Sequence, residues 1–307
     1  MTGAVILAAY AVGAGFGAPA ALCRSWARRS PRIATGLWLT LATSWLAAIA
    51  MAGLALATPL SLTWQQSGSR AAGNLSGTPG GTAAAVAGLL LAAAIVVQAS
   101  CHVARGLARA RREHCAQAAF LAAVGHPDQA LDAVVIDDDS PAAYCVPRGQ
   151  HRVAISAGTL ARLRPGQLQA VLAHERAHLR GHHHLVLAVA AALARAFPAI
   201  PLLARAPAEL AVLAEMAADD AAVRSHDPAD LAAALVTLAR AGIRTTALTA
   251  GGPAAIARIQ RLLAPLPQPG LPVRAARLAA ALAALTIPAL ITSLPLVIAA
   301  CDIIIRG

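Results

Sequence analysis

Apolar residues in this chain gather into four long runs, at about 2–22, 33–57, 83–103 and 279–301. Each is long enough to cross a bilayer core, which takes about 20 residues. Three runs precede residue 104, and about 175 residues separate the third from the fourth. The pattern divides the chain into 1–103 with three transmembrane helices, 104–278 as a polar domain, and 279–307 as a fourth helix with a short tail.

The central stretch alternates short strand-like and longer helix-like patterns. Residues 105–123 read as a basic helix. Ala133 to Ile136 is a buried-strand run ended by Asp137-Asp138-Asp139-Ser140-Pro141. Ala142 to Val146 and Arg152 to Ser156 read as two further strands. Pro165-Gly166 opens a helix expected to last until about Pro198, and another covers about 208–225. Asp227-Pro228 starts a helix that runs to Gly242, with Asp as cap and Pro in the first helical position. A short helix follows Pro253, and 264–272 is a proline-rich linker. Residues 185–203 are apolar but broken by Pro198 and Pro201, which suits an element that skims or re-enters the membrane better than a fifth span. The fold class is therefore a mainly α-helical membrane protein, with about four transmembrane helices and an α+β domain carrying a small sheet.

Composition strengthens the membrane reading. Apolar residues make up 58% of the chain and charged residues 13%, about half the charge of an average globular protein. The net charge is +11 and every basic residue is Arg. So basic a chain, with a pI near 11.2, can bind nucleic acid. Here the arginines flank apolar runs, so no direct nucleic-acid binding is expected. Arg24, Arg28, Arg29 and Arg32 follow the first run, and Arg105, Arg109, Arg111 and Arg112 follow the third, whereas 58–82 holds only Arg70. The positive-inside rule puts 23–32 and 104–278 in the cytoplasm. Met1 to Leu22 carries no charged side chain, so a retained helix is expected in place of a cleaved signal. Arg without Lys, with abundant Ala and Gly, suggests a GC-rich bacterial genome and hence a plasma-membrane location. The cysteines at 23, 101, 115, 145 and 301 are odd in number, include no CxxC, and read as reduced thiols.

Candidate chemistry lies in His174-Glu175-Arg176-Ala177-His178. Two histidines at i and i+4 share one helix face, where one zinc ion can bridge them. Glu175 beside the first ligand is placed to act as general base. A catalytic zinc takes a third protein ligand and keeps one position open. Glu215 is the candidate third ligand. Asp219, one turn on, can orient a ligand histidine through its free N–H. Two of the chain's four glutamates fall within this set. His182, His183 and His184 read as interface or substrate-lining residues, with His182 the one in register with His178. The three aspartates from 137 read as a turn, not a calcium loop. Tyr144, Arg224 and His226 are equal candidates for oxyanion contact. Cys145 reads as a buried thiol, and Asn74-Leu75-Ser76 as an idle glycosylation triplet.

His174 to His178 followed by Glu215-x-x-x-Asp219 resembles the gluzincins of peptidase family M56, the BlaR1/MecR1-like membrane zinc metalloproteases. Ala143 to Val146, Val153 to Gly158 and Leu168 to Ala173 are similar to the same family and, more distantly, to family M48 (HtpX/Ste24-like). The resemblance implies zinc on His174, His178 and Glu215, Glu175 as catalytic base and Asp219 behind the ligands. It also implies an endopeptidase at the cytoplasmic face, acting either in regulatory signalling, on a repressor or membrane protein, or in HtpX-like quality control. A zinc-binding sensor or scaffold without catalysis is the reading from another class. The penicillin-binding sensor domain of the β-lactam-sensing members is expected to be lacking. Expected partners are the lipid bilayer and a protein or peptide substrate, with an oligomer left open. A substrate is expected to add as a strand to a sheet edge, with Tyr144, Cys145 and Val146 as the candidate strand.

Overall fold

The computed structural model describes residues 2–57, 79–147, 153–240, 252–264 and 270–306. Most of the loop expected between 58 and 82, including Asn74, lies outside them, as do Arg152 and Gly242.

The N-terminal run forms α1 (Thr2–Val12), a π-turn at Gly13–Gly17 and α2 (Ala18–Leu22). A short α3 (Ser25–Arg29) leads to α4 (Pro31–Ala57). Helix α5 (Pro79–Val124) has 46 residues, roughly 69 Å at helical rise. The third apolar run and the basic helix expected after it are thus one rod. Nothing between 103 and 105 breaks a helix, so only the side chains change as the apolar stretch gives way to arginine. Four helices are long and apolar enough to cross a membrane, with windows at Gly3–Leu22, Pro31–Leu56, Ala83–Val124 and Leu271–Ile291.

These helices are joined where apolar periodicity gives no warning. α4 packs on α1, α5 and the last helix, α12 (Leu271–Arg306). A Cβ on Gly53 would lie 2.5 Å from the Gly88 carbonyl oxygen and from Ala92 Cβ, so glycine lets α4 and α5 touch backbone to side chain. Pro288 has no N–H for the Ala284 carbonyl. Tyr10 Oη donates to that oxygen at 3.0 Å and Ser44 Oγ at 2.5 Å. Two hydroxyls from other helices thus satisfy that carbonyl.

The domain that follows α5 is a four-stranded sheet covered by helices. Its strands are β1 (Gly125–Asp128), β2 (Ala133–Ile136), β3 (Ala143–Cys145) and β4 (Val153–Ser156), in the order β1-β2-β4-β3. β1 runs antiparallel to β2, β2 parallel to β4, and β3 antiparallel to β4. The three expected strands form. β1 was not expected, because Gly-His-Pro-Asp has no strand pattern. It forms because Asp128 Oδ1 accepts from the Ala130 and Leu131 amides and turns the chain back. Pro127 is tolerated on this outer edge, where no ladder bond is needed. The aspartates from 137 do form a turn: Asp138 Oδ1 accepts from the Ser140 amide at 2.8 Å.

After α6 (Ala157–Arg162) comes α7 (Pro165–Arg180), which carries the metal motif. Leu172 and Val171 of α7 pack on Ile155 and Val153 of the sheet and on Leu238 of α10 (Pro228–Arg240). The helix expected to run from 165 to 198 is two helices. His182 has φ 49° in the left-handed region, and α8 (His183–Ala196) restarts at a new angle. α8 is 14 residues long, about 21 Å, short of a bilayer core. It packs against α5 and α9. α9 (Pro201–Ala222) begins earlier than expected and contains Pro207. α11 (Gly252–Leu263) closes the domain against α9 and α10.

Candidate metal centre

α7 is buried all round at Ala170–Ala173, between the sheet, α10 and α9, and its next turn carries the motif against α9. There His174 Nε2 lies 3.1 Å from His178 Nε2 and 3.4 Å from Glu215 Oε2. His178 Nε2 lies 3.4 Å from Glu215 Oε1. Ligands bound tetrahedrally to zinc at 2.0–2.1 Å stand about 3.3–3.4 Å apart. The triad therefore fits a zinc ion in both donor chemistry and spacing, and its donor atoms lie within 4.8 Å of one another.

Behind the triad, His174 Nδ1 lies 3.0 Å from Asp219 Oδ1, so its second nitrogen faces a carboxylate and not water. One residue that sequence reasoning passed over holds this arrangement. Arg258 of α11 is 2% exposed. Its Nε and Nη2 donate to the two Asp219 oxygens at 2.8 and 2.7 Å, and its Nη1 lies 2.9 Å from Glu215 Oε2. Next to it Arg261 donates to Asp220 at 2.6 Å. The available signal was Arg258 four residues before Leu262, on the apolar side of an amphipathic helix.

The electrostatics follow from this crowding. Burial opposes charge on His174, but the Asp219 and Glu215 carboxylates outweigh it and raise its pKa to about 10. Burial and then its charged neighbour His174 lower His178 to about 3. Burial resists ionisation of Glu215 as well, yet His174, Arg258 and His178 bring it down to about 2. Glu175 has the opposite fate. Burial, with repulsion from Glu215, raises it to about 7 despite His174, Arg258 and a backbone hydrogen bond from Cys145.

The candidate substrate strand is divided by the pleat. β3 is an edge of the sheet and packs beside α7. Cys145 is half-buried beside Glu175; burial and the Glu175 and Glu215 charges push its thiol up to about 12. Val146 is fully buried with Leu121, Val134 and Ala154, and Tyr144 packs on the same cluster. Only Cys145 of the three turns its side chain to the metal triad. The histidine tract also differs from expectation. The turn at 181–182 breaks the helical register, so His183 reaches the triad, with Nδ1 2.9 Å from His178 Nδ1. A Cβ on Gly181 would collide with the His183 ring, so glycine is needed for that approach. His182 is exposed and lies near His184. Among the oxyanion candidates, His226 is occupied with Ser225 and the Ala222 carbonyl. Cys23, Cys101, Cys115 and Cys145 are free thiols.

The chain matches the model of peptidase family M48 over residues 107–266, just over half its length. It belongs to peptidase family M48. No curated protein and no solved structure matches it significantly. The M48 match runs from the lower half of α5 to the end of α11 and includes the triad, Glu175, Asp219 and Arg258. Membership implies metallopeptidase activity. It supports the more distant of the two likenesses in the sequence and lends none to M56. M48 peptidases are zinc enzymes, which agrees with the donor set found here.

Proposed function

We propose that this M48 peptidase is an integral-membrane zinc endopeptidase of the HExxH gluzincin type, acting on protein substrates at the cytoplasmic face of a bacterial plasma membrane. The observation that carries the reading is the triad of His174, His178 and Glu215, spaced at 3.1–3.4 Å around a point that Glu175 adjoins. Bound zinc supplies a Lewis acid that acidifies water and polarises a carbonyl. Glu175 takes the proton of the attacking water and returns it to the leaving amine, a task suited to a carboxyl near neutrality. Asp219 holds the His174 ring, and Arg258 holds Asp219. The substrate adds as a strand along β3, the sheet edge beside α7.

The M48 match favours quality-control cleavage of membrane proteins over cleavage of a repressor. A non-catalytic scaffold has no use for a carboxyl buried against the metal triad.

Two measurements test the reading. The first uses the full chain purified in detergent with an unfolded protein substrate. Removing metal with a strong chelator abolishes cleavage, and stoichiometric zinc restores it. Cleavage that survives complete metal removal refutes the mechanism. The second is zinc affinity against pH, read by competition with a chromophoric chelator. Metal-free His174 is protonated below about 10, and zinc takes neutral imidazole. Binding at neutral pH therefore expels a proton, so affinity rises about tenfold per pH unit between pH 6.5 and 8.5. A flat profile contradicts protonated His174.

A further inference from the structure

A second charged site lies beside α7 and α9, adjoining the metal triad through His183. A cavity of about 370 Å³ is lined by Arg32 and Thr35 of α4, by Arg180 and His183 at the α7–α8 junction, and by Arg224 just past α9. Its volume suits a small ligand or headgroup. Three exposed arginines line it, and no carboxylate is among its lining residues. Among the described residues none of the three arginines has a hydrogen-bond or ion-pair partner. Arg258 and Arg261 of the same domain, in contrast, are each neutralised by an aspartate. Three cations lining one concavity give it a positive field that favours an anion.

The place of the cavity narrows the anion. Arg32 follows Pro31, the first residue of an apolar helix long enough to span a bilayer. At the same end of α4, Arg277 Nη1 donates to Ser30 Oγ at 2.9 Å and stacks 4.6 Å from the Trp26 ring centre. Trp and Arg mark the headgroup level of a membrane protein. Basic pockets between spans on the cytoplasmic side suit anionic headgroups.

We propose that the cavity formed by Arg32, Arg180 and Arg224 binds a phosphate group, presented by an anionic phospholipid of the surrounding membrane. This rests on the membrane reading above. The site joins α4 to both helices that carry the metal ligands, and His183 touches both places, lining the cavity while contacting His178. The lipid fastens the peptidase domain to the membrane bundle.

The test uses the full chain in a neutral detergent. Phosphatidylglycerol, phosphatidylcholine and inorganic phosphate are titrated separately, with thermal unfolding and lipid retention in native mass spectrometry as readouts. Phosphatidylglycerol raises the unfolding temperature of wild type and phosphatidylcholine does not. In Arg180→Gln/Arg224→Gln the half-saturating phosphatidylglycerol concentration rises about 30-fold, at about 1 kcal/mol per removed charge. Arg180→Lys/Arg224→Lys recovers most of it. Unchanged zinc content and lipid-free unfolding temperature show that the Gln variant is folded. Equal phosphatidylglycerol binding by wild type and the Gln variant overturns the proposal. Inorganic phosphate matching the lipid at equal concentration overturns the lipid source and assigns the cavity to free phosphate. Release of the chain from membranes by alkaline carbonate overturns the membrane reading itself, and the phosphate titration then decides the anion site alone.

Discussion

Glu175→Gln lowers the rate of peptide cleavage by about 10²–10⁴-fold and leaves zinc binding intact. Gln keeps the size of Glu175 and can still accept the Cys145 backbone hydrogen bond. It cannot take up a proton. The two effects separate because Glu175 lies beside the metal triad and is not one of its donors. The check is zinc content and turnover measured on one preparation, with cleavage sites mapped by new N-termini in membranes. Retained turnover with full zinc removes Glu175 from the chemistry. Loss of zinc together with turnover makes it structural.

Arg258→Met destabilises the fold by about 3–5 kcal/mol, the cost of stripping one partner from a buried ion pair. Asp219 is 1% exposed, and without Arg258 its charge faces only the His174 ring. Bound zinc compensates Glu215 but not Asp219, so the loss persists in the zinc-loaded protein. Arg261→Met provides the comparison. Asp220 is about one-third exposed, so water replaces much of what Arg261 gives and the loss is about 1 kcal/mol. Adding Asp219→Leu to Arg258→Met recovers part of the stability, since no unpaired charge remains. Thermal unfolding of the four proteins in detergent reads the order. Equal losses for Arg258→Met and Arg261→Met show that Arg258 is not the clamp.

The legible parts of this protein are those written in local pattern. Four apolar runs became four long helices because about 20 apolar residues in sequence have few other uses. β2, β3 and β4 followed from short β-branched and apolar runs between turn residues. His174, Glu175 and His178 were readable because helical geometry alone brings i and i+4 together. Glu215 and Asp219 were readable because their spacing repeats that geometry on a second helix.

What could not be read required the other partner in space. β1 has no pattern of its own and exists by pairing with β2. The break at His182 turned the histidine tract by about a residue, so His183 took the place expected of His182. The pleat gave Cys145, not Tyr144 or Val146, to the site. Tyr10 and Ser44 serve a carbonyl that Pro288 leaves open on a helix 240 residues later in the chain than Ser44.

The sequence by itself determined the membrane-length helices and the two helical motifs, His174 to His178 and Glu215 to Asp219, that carry the candidate metal ligands, since each depends on residues within a few turns of one another. Only the tertiary structure decided that α7 and α9 meet at zinc-ligand distance, that Arg258 locks Asp219 behind them, and that Arg32, Arg180 and Arg224 line one cavity. Those contacts span 39 to well over 100 residues of chain. They are set by how buried faces pack, a quantity that no local spacing encodes.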